Sequence, residues 1–233
     1  MTMTGVASII ANLPPDFWQP LWLTLKLAFV STFLLLVLGI PLAHFLNQSR
    51  WRGIILVETL ITMPIVLPPT VIGFYLLVAF APQHMLGGLW MTVTGHTLAF
   101  SFSGLVVGSV IYSLPFAIQP FQSALHAVPQ LFVDAARVEG ASAWQILRNV
   151  SLPLAGRGIA VGVILSFAHT VGEFGIVLML GGSVQGETRV ASIALYDEMQ
   201  KLNYPVAHAY ALMLLSISFV LIFAITWLQR RAA

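Results

Sequence analysis

An imidazole and a carboxylate lie inside an apolar stretch in the second half of the chain. Within residues 159–180, His169 and Glu173 are the ionisable side chains. A carboxylate inside a membrane costs free energy unless it is paired, protonated or facing water. His169 precedes Glu173 by one helical turn, so the two side chains could meet. Either Glu173, with Thr170 and Gly172 beside it, contacts a gate or pathway, or it forms a structural hydrogen bond that ties down a glycine-flanked helix.

Prolines interrupt a second apolar stretch, residues 54–81, immediately before a hydroxyl group. Pro68 and Pro69 leave carbonyl groups of the preceding turn without helical partners. In a bilayer, such groups are tolerated only inside protein or beside a wet cavity. Pro69 and Thr70 are therefore candidate pathway residues, and a structural kink packed against neighbouring helices is the alternative.

The residue types exclude several kinds of chemistry. No segment fits G-x-x-x-x-G-K-[ST], and the lysines are Lys26 and Lys201, so the chain has no P-loop with which to hydrolyse ATP. The 6 His residues are scattered and there is no Cys, so we expect no metal site. A net charge of +2, widely dispersed, does not suit a nucleic-acid surface. We expect neither an enzyme nor a bound cofactor.

Long apolar runs dominate the chain, which is 58% hydrophobic and 8% charged, with a mean hydropathy of +0.93. Each run is near or above the roughly 20 residues that cross a hydrocarbon core about 30 Å thick. We therefore predict an all-α polytopic membrane protein with about five transmembrane helices in contact with lipid. The runs are residues 21–45, 54–81, 98–125, 159–180 and 206–228.

The predicted organisation has one membrane domain. We assign residues 18–229 to it, because no internal repeat or low-complexity segment divides them. Residues 1–17 form an N-terminal extracytoplasmic or interfacial segment, in which residues 5–13 could lie along the membrane surface. Residues 230–233 form a C-terminal tail.

The stretch from Pro129 to Pro153 carries a cluster of charges between apolar runs. Pro129 suits a first helical position, and Gly140 can take the left-handed conformation that ends a helix. Ser142 and Gln145 fit a capping box that opens a second helix, which we expect Pro153 to stop. The stretch therefore predicts two short helices outside the bilayer, suited to dock a partner. An ordinary amphipathic interfacial helix is the alternative.

Basic residues predict the orientation. With five spans, most arginines fall on the same side as the charged stretch, whereas Arg189 and Lys201 fall on the other. The positive-inside rule then places the charged stretch and the C-terminus in the cytoplasm and the N-terminus outside. The arginines on the cytoplasmic side are Arg50, Arg52, Arg137, Arg148, Arg157, Arg230 and Arg231.

The charged stretch resembles the EAA loop of ABC importer permeases. The resemblance rests on Asp134-Ala135-Ala136, Gly140, Ile146 and Leu152-Pro153, with Asp134 where Glu is usual. In that family the loop forms a coupling helix that sits in a cleft of the ATP-binding subunit. The resemblance implies a type I ABC importer permease fold with a cytoplasmic coupling-helix pair in residues 129–153. The residues that it assigns to ATPase coupling are Asp134, Ala135, Ala136, Glu139, Gly140, Ala141, Leu152 and Pro153.

Three further segments resemble molybdate permeases. The segment at Gly172 also resembles sulfate and thiosulfate permeases, and tungstate is a further alternative substrate. An ion-coupled secondary transporter is a rival from another class, which would need intramembrane ion sites and commonly an internal repeat. The segments are Pro68-Pro69-Thr70 with Gly73, then Gly172-Glu173-Phe174-Gly175, and then Gly186-Glu187-Thr188 with Ser192-Ile193-Ala194-Leu195-Tyr196-Asp197.

The resemblance implies partners for this chain in the cytoplasmic (inner) membrane. These are a second copy of the chain, two ATP-binding subunits that hold ATP and Mg, and an extracytoplasmic oxyanion-binding protein. Because the spans contain no basic side chain apart from Lys26 near one end, we expect no tight oxyanion site within the membrane. Weak contacts from hydroxyls such as Thr70 and Thr170 are expected instead.

Overall fold

The structure is a computed structural model that describes residues 14–49 and 51–230. The predictions made for residues 1–13, for Arg50 and for residues 231–233 lie outside these ranges. Within them the chain is helical, with a 3₁₀ turn at Met63–Ile65 and a π-helical turn at Leu147–Ser151. The α-helices are α1 (Trp18–Gln48), α2 (Ile54–Thr62), α3 (Pro69–Phe80), α4 (Met85–Thr94), α5 (Phe102–His126), α6 (Gln130–Val138), α7 (Ala143–Ile146), α8 (Leu152–Val171), α9 (Gly175–Gly181), α10 (Ala191–Gln200) and α11 (Tyr204–Arg230).

Four helical stretches in the described residues are long and apolar enough to cross a membrane: α1, α5, α7 through α8, and α11. The pair formed by Ile54–Ile65 and Pro69–Phe80 is bent by 112° and counts as a fifth if it is one broken span. The 31 residues of α1 extend about 46 Å at about 1.5 Å per residue, which exceeds the hydrocarbon thickness. The prediction of an all-α membrane protein with about five spans is confirmed.

Helices α1, α5 and α8 form the centre of the bundle and approach one another at small residues. Phe121 of α5 is fully buried between glycines of the other two helices. A Cβ atom would lie 3.2 Å from its ring at Gly39 and 2.7 Å from it at Gly162. Close approach of this kind is typical of membrane helices, whose association depends on van der Waals packing. The core therefore fixes α5 and α8 side by side.

The predicted interruption of residues 54–81 is confirmed by the 112° bend. Helix α2 runs into the 3₁₀ turn, and α3 begins at Pro69 with Pro68 as its N-cap. A proline at the first helical position lacks only an N–H that has no partner in the helix. The proline pair thus ends one helix and starts the next.

The fourth apolar run is not one helix, contrary to our treatment of residues 159–180 as a continuous span. Helix α8 ends at Val171, the chain opens over residues 172–174, and α9 begins at Gly175. Glycine loses more conformational freedom in a helix than other residues, so a glycine-flanked segment opens at low cost. Glu173 consequently lies in a break between two helices.

Helix α11 turns large apolar side chains outward. Leu215, Phe219 and Phe223 are exposed on it. An apolar surface of this length would be a liability in water. In a bilayer it contacts lipid, as the span prediction requires.

Candidate functional site

A cavity of about 540 Å³ lies where the two broken helices meet. Helix α3 contributes its first residues, α8 its last turn, α9 its first turns and α5 a tyrosine. The lining residues are Pro69, Thr70, Tyr112, Ala168, His169, Gly172, Glu173, Phe174, Gly175 and Leu178.

Two glycines bring the broken helices into direct contact. A Cβ atom at Gly175 would lie 2.8 Å from the ring of Pro69. One at Gly73 would lie 2.7 Å from Cβ of Met179. Real Cβ atoms do not approach so closely, so α3 and α9 pack at a distance that only glycine permits. The start of α3 and the start of α9 are thereby held at the same wall of the cavity.

Glu173 is anchored by α5 and not by His169. The residue is 4% exposed, and its Oε2 accepts a hydrogen bond of 2.8 Å from Ser109 Oγ. Its backbone carbonyl accepts another of 2.7 Å from Ser192 Oγ. The other carboxyl oxygen, Oε1, is buried without a hydrogen-bond partner among the described residues. The pairing with His169 that the sequence allowed is not formed, and each of the two side chains bonds a serine of α5.

His169 is held by aromatic and hydroxyl groups of α5. Its ring stacks on Phe116 with centroids 3.9 Å apart and lies 4.8 Å from the ring of Tyr112. Its Nδ1 is 2.9 Å from Ser113 Oγ. The imidazole therefore has one nitrogen fixed against α5 while the ring borders the cavity.

Thr170 lies behind the cavity wall, in contrast to the other pathway candidates. Its side chain is 2% exposed, and its hydroxyl lies 3.0 Å from Ser113 Oγ and 3.1 Å from the carbonyl oxygen of Ser166. The cavity itself is lined by the candidates Pro69, Thr70, Gly172 and Glu173.

Sequence reasoning missed the contribution of α5 to this site. Ser109 and Ser113 are spaced by one helical turn within an apolar helix, and Tyr112 lies between them. Positions i and i+4 share a helix face, so this spacing was a signal for a polar face on α5. What the spacing could not show is that this face packs against the end of α8.

At one end of the bundle, α6 and α7 form an exposed element with few contacts of its own. Helix α6 has no buried residue, and its apolar side chains Leu131 and Val138 are 76% and 89% exposed. Asp134 pairs with Arg137 at 3.1 Å on the surface, a kind of ion pair that contributes little to stability. The apolar face of α6 is thus open to a partner.

The backbone between α6 and α7 is nevertheless tightly determined. Gly140 has φ +83° and donates its N–H to the carbonyl of Arg137, while Ala141 donates to that of Ala136. These two bonds form a Schellman motif. Ser142 and Gln145 then form the predicted capping box, with bonds of 2.7 and 3.4 Å. The local predictions for Gly140 and for the capping box are confirmed.

Pro153 does not stop the second helix, contrary to prediction. The helical path continues from α7 through the π-helical turn Leu147–Ser151 into α8, and Leu152 donates its N–H to the carbonyl of Leu147. In α geometry the ring of Pro153 would clash with the carbonyl four residues earlier. The wider π turn moves that carbonyl away, so α7 and α8 form one helical stretch from Ala143 to Val171.

The eight predicted coupling residues cluster at this end of the bundle. Ala141 also borders a second cavity, of about 600 Å³, shared with the ends of α1 and α5. The exposed members are Asp134, Ala135, Glu139, Gly140 and Pro153, and the half-buried ones are Ala136, Ala141 and Leu152.

The opposite end of the bundle carries an ion cluster centred on Arg189. The guanidinium lies 3.0 Å from Asp197, 3.2 Å from Glu198 and 3.8 Å from Asp16. Burial by itself would raise the pKa of Glu198. Hydrogen bonds from Lys201 and Asn203, together with the positive charges of Lys201 and Arg189, outweigh this effect and lower the pKa of Glu198 below its ordinary value. The cluster ties α10 to the start of α1.

Relatives of known type share most of the chain. The chain is 43% identical over 203 residues to a molybdenum transport system permease protein of Azotobacter vinelandii, covering 87% of this chain and 90% of the relative. It is 34% identical to the molybdenum permease of Escherichia coli K12, over 78% and 80%. It is also 32% identical to a sulfate transport system permease of Escherichia coli K12, over 89% and 75%.

Solved structures with low identity share the fold. A bacterial ABC transporter involved in the import of alginate superimposes with a TM-score of 0.76 at 18% identity, over 99% of this chain and 84% of the other. The MetNI methionine ABC transporter does so with a TM-score of 0.69 at 20% identity, over 100% of both chains. The fold is therefore that of type I ABC importer permeases, as the EAA-loop resemblance implied.

The sequence family described as the binding-protein-dependent transport system inner membrane component matches residues 35–233. That match covers the exposed α6–α7 segment, both broken helices and the cavity between them. The chain belongs to this family of inner-membrane permease components.

Proposed function

We propose that the chain is the permease subunit through which an ATP-driven importer carries molybdate across the cytoplasmic membrane. The observation that carries the proposal is the α6–α7 segment. Its backbone is fixed by a Schellman motif and a capping box, although no residue of α6 is buried against the rest of the chain. A rigid and unpartnered surface of this kind suits docking, since little conformational entropy is lost on binding.

External work is required because the proposed ligand is a dianion. Moving a charge against a membrane potential costs about 2.3 kcal/mol per 100 mV, so a dianion costs roughly 4.6 kcal/mol. The chain has no P-loop, so the work must come from a separate ATP-binding subunit that holds ATP and Mg. The eight coupling residues provide its docking surface, and a second copy of the chain and an extracytoplasmic binding protein complete the complex.

The distribution of arginines supports an orientation with the docking segment in the cytoplasm. Arg137 and Arg148 lie in or beside the α6–α7 segment, and the positive-inside rule places such a segment inside. The chain has no Cys, so a single cysteine introduced by Val138→Cys can be tested with a membrane-impermeant thiol reagent. Labelling of inside-out but not right-side-out vesicles is expected, and the reverse pattern would refute the docking proposal.

Molybdate is favoured over sulfate by the relatives. The identity to a molybdenum permease is 43%, against 32% to a sulfate permease. Sulfate transport is the second candidate because of the sulfate relative. Tungstate, another tetrahedral dianion, is a further candidate substrate. An ion-coupled transporter, by contrast, would use an ion gradient to drive uptake of the anion and would need no nucleotide.

The cavity supports passage and not tight binding. Its lining contains no Lys or Arg among the described residues, although anion-selective pores commonly use such side chains. We therefore infer a pathway of weak contacts past Pro69, Thr70, Gly172 and Glu173, with Thr170 supporting the wall. Selectivity then lies mainly in the binding protein. Submicromolar binding of molybdate to the permease alone would contradict this inference.

The decisive experiment is uptake of radiolabelled molybdate into proteoliposomes. The chain is reconstituted with the ATP-binding subunit and the binding protein, and tungstate and sulfate compete. ATP-dependent molybdate uptake, inhibited by tungstate more than by sulfate, is expected. Uptake of sulfate alone would favour the second candidate, and uptake driven by an ion gradient without ATP would refute the proposal.

A further inference from the structure

A chain of hydrogen bonds at the cavity wall determines the tautomer of His169. Thr170 Oγ1 lies 3.1 Å from the carbonyl of Ser166, Ser113 Oγ lies 3.0 Å from Thr170 Oγ1, and His169 Nδ1 lies 2.9 Å from Ser113 Oγ. A carbonyl oxygen can only accept, and each hydroxyl has one hydrogen to donate. Thr170 therefore donates to the carbonyl and Ser113 donates to Thr170. The Nδ1–H of His169 then donates to Ser113.

The other ring nitrogen, Nε2, consequently carries no hydrogen in the neutral ring. A neutral imidazole carries one hydrogen, and here it is on Nδ1, so Nε2 is a hydrogen-bond acceptor. Among the described residues none is hydrogen-bonded to Nε2, and this atom is not one of the buried polar atoms that lack a partner, so it is accessible. The ring borders the 540 Å³ cavity. The neutral ring therefore presents a lone pair to whatever enters.

A tetrahedral oxyanion is composed of acceptor oxygens and is not matched by a bare Nε2. Protonation of His169 reverses the contact, because both ring nitrogens then donate. A hydrogen bond from a cation to an anion is roughly twice as strong as one between neutral groups. Without any Lys or Arg in the described lining, the imidazolium is the cation that the cavity can offer.

We propose that His169 is a proton-dependent contact of the transport pathway, held by Ser113 and Thr170 in the tautomer whose cavity-facing nitrogen can donate only after taking up a proton from solvent. The proposal rests on the proposed function, because it takes the passing ligand to be a tetrahedral oxyanion. Ser113 and Thr170 act through His169 and are positioning residues. The role differs from the one that the sequence allowed, in which His169 could pair with Glu173.

Few titratable groups face His169. Helix α5 contributes Tyr112 and the break after α8 contributes Glu173, whereas the parts of α3 and α9 that line the cavity carry no ionisable side chain. Helices α1 and α11 also pack against α8, but none of their ionisable groups lines the cavity. In α1, Lys26 contacts Phe102 and His44 bonds Gln48. In α11, Tyr210 bonds the carbonyl of Phe17, His208 is exposed, and Tyr204 and Arg230 are at the helix ends.

Glu173 is the group whose titration must be separated from that of His169. Its Oε2 accepts from Ser109, a bond that the amide oxygen of Gln can also accept. Glu173→Gln removes the titration of this carboxyl while retaining the bond. If protonation of His169 causes the dependence of uptake on pH, the Glu173→Gln variant keeps the wild-type pH profile, whatever its maximal rate.

The first test reads the tautomer without any transport. The chain is labelled with ¹⁵N-histidine and reconstituted in nanodiscs, and the His169 signals are identified by their absence from His169→Gln. At neutral pH we expect a protonated Nδ1 and a bare Nε2. In Thr170→Val the hydrogen of Ser113 is free to bond Nδ1, so the hydrogen of the ring moves to Nε2.

A matched control is available on α11. Thr226 Oγ1 donates to the carbonyl of Ile222 at 2.9 Å, the same bond to the preceding turn that Thr170 makes. Thr226→Val removes the same atoms far from the cavity. Its His169 spectrum and its uptake profile are expected to match those of the wild type.

The second test is the pH profile of ATP-dependent oxyanion uptake, with equal pH on both faces of the membrane. Wild-type uptake per ATP hydrolysed is expected to fall as pH rises, approaching about tenfold per pH unit once the ring is mostly neutral. Thr170→Val and His169→Gln both offer a neutral donor, so their profiles are expected to be flat over the same range.

The outcomes separate the two proposals. If the wild-type complex transports no molybdate, tungstate or sulfate at any pH, the proposed function fails and this inference fails with it. If oxyanion uptake occurs but its wild-type profile is flat, or if the wild-type ring carries its hydrogen on Nε2, the inference alone is overturned. A pH dependence abolished by Glu173→Gln would likewise overturn it in favour of the carboxyl.

Discussion

Replacing Gly140 with alanine tests whether the geometry between α6 and α7 is what the ATP-binding subunit recognises. The residue has φ +83°, and a Cβ built on it meets nothing within 4 Å. The cost of the substitution is therefore conformational and not steric. An L-residue in the left-handed region costs roughly 1–2 kcal/mol.

That cost translates directly into binding if docking requires the observed turn. An energy of about 1–2 kcal/mol lowers the ratio of the native to the alternative arrangements roughly 5–30-fold. We therefore expect the affinity of the ATP-binding subunit for the nanodisc-reconstituted chain to fall by up to about 30-fold, with a parallel loss of ATP-dependent uptake. Gly140→Asn should lose less, because asparagine tolerates the left-handed region better than alanine. Membrane insertion should be unchanged.

Two glycines elsewhere provide matched controls. Gly95 has φ +75° and also has nothing within 4 Å of a built Cβ, so Gly95→Ala imposes the same strain outside the docking segment. Gly156 lies inside α8 with the same open space and without a positive φ, so Gly156→Ala adds the methyl group without the strain. Wild-type affinity in Gly140→Ala, or an equal loss in Gly95→Ala, would refute the reasoning.

Three further predictions concern other parts of the structure. Ser142→Ala removes the capping box with Gln145 and should cost about 1 kcal/mol, seen as weaker titration of the ATP-binding subunit; an unchanged affinity would speak against the role of the cap. Gly175→Ala places a methyl group 2.8 Å from the ring of Pro69 and should destabilise the chain by about 1–3 kcal/mol, measured as a lower Tm in nanodiscs. Because the pKa of Glu198 lies below its ordinary 4.5, its stabilising effect is present above that pH and is lost as pH falls through the lowered value. The Tm advantage of wild type over Glu198→Gln should therefore shrink on acidification, and a constant difference would contradict the assignment.

Local sequence patterns predicted the backbone of the docking segment well. The left-handed Gly140 and the Ser142–Gln145 capping box depend on residues within one or two turns, so their chemistry is readable from the chain. The break before Pro69 was predictable for the same reason. Pro153 was misread because a π turn can accommodate a proline, and nothing in the adjacent residues distinguishes that outcome from a helix end.

The partners of the buried polar groups could not be read from the sequence. Glu173 and His169 are one turn apart, which made a mutual contact the simplest expectation. The structure gives each of them a serine from α5 instead, across 64 and 56 positions of sequence. Which helix packs against which is decided by close contacts such as those of Phe121 with Gly39 and Gly162, and no local pattern encodes that choice.

The π-helical turn Leu147–Ser151 gives the molecule a reserve of length at one defined place. Such a turn holds one residue more than α geometry would. If the turn adopted α geometry, the residues after it would shift by about 1.5 Å along the helix axis and rotate by about 100° around it. Helix α8 runs unbroken from this turn to His169. A pull on the docking end would therefore reach the far end of α8 as a twist that moves the imidazole relative to α5.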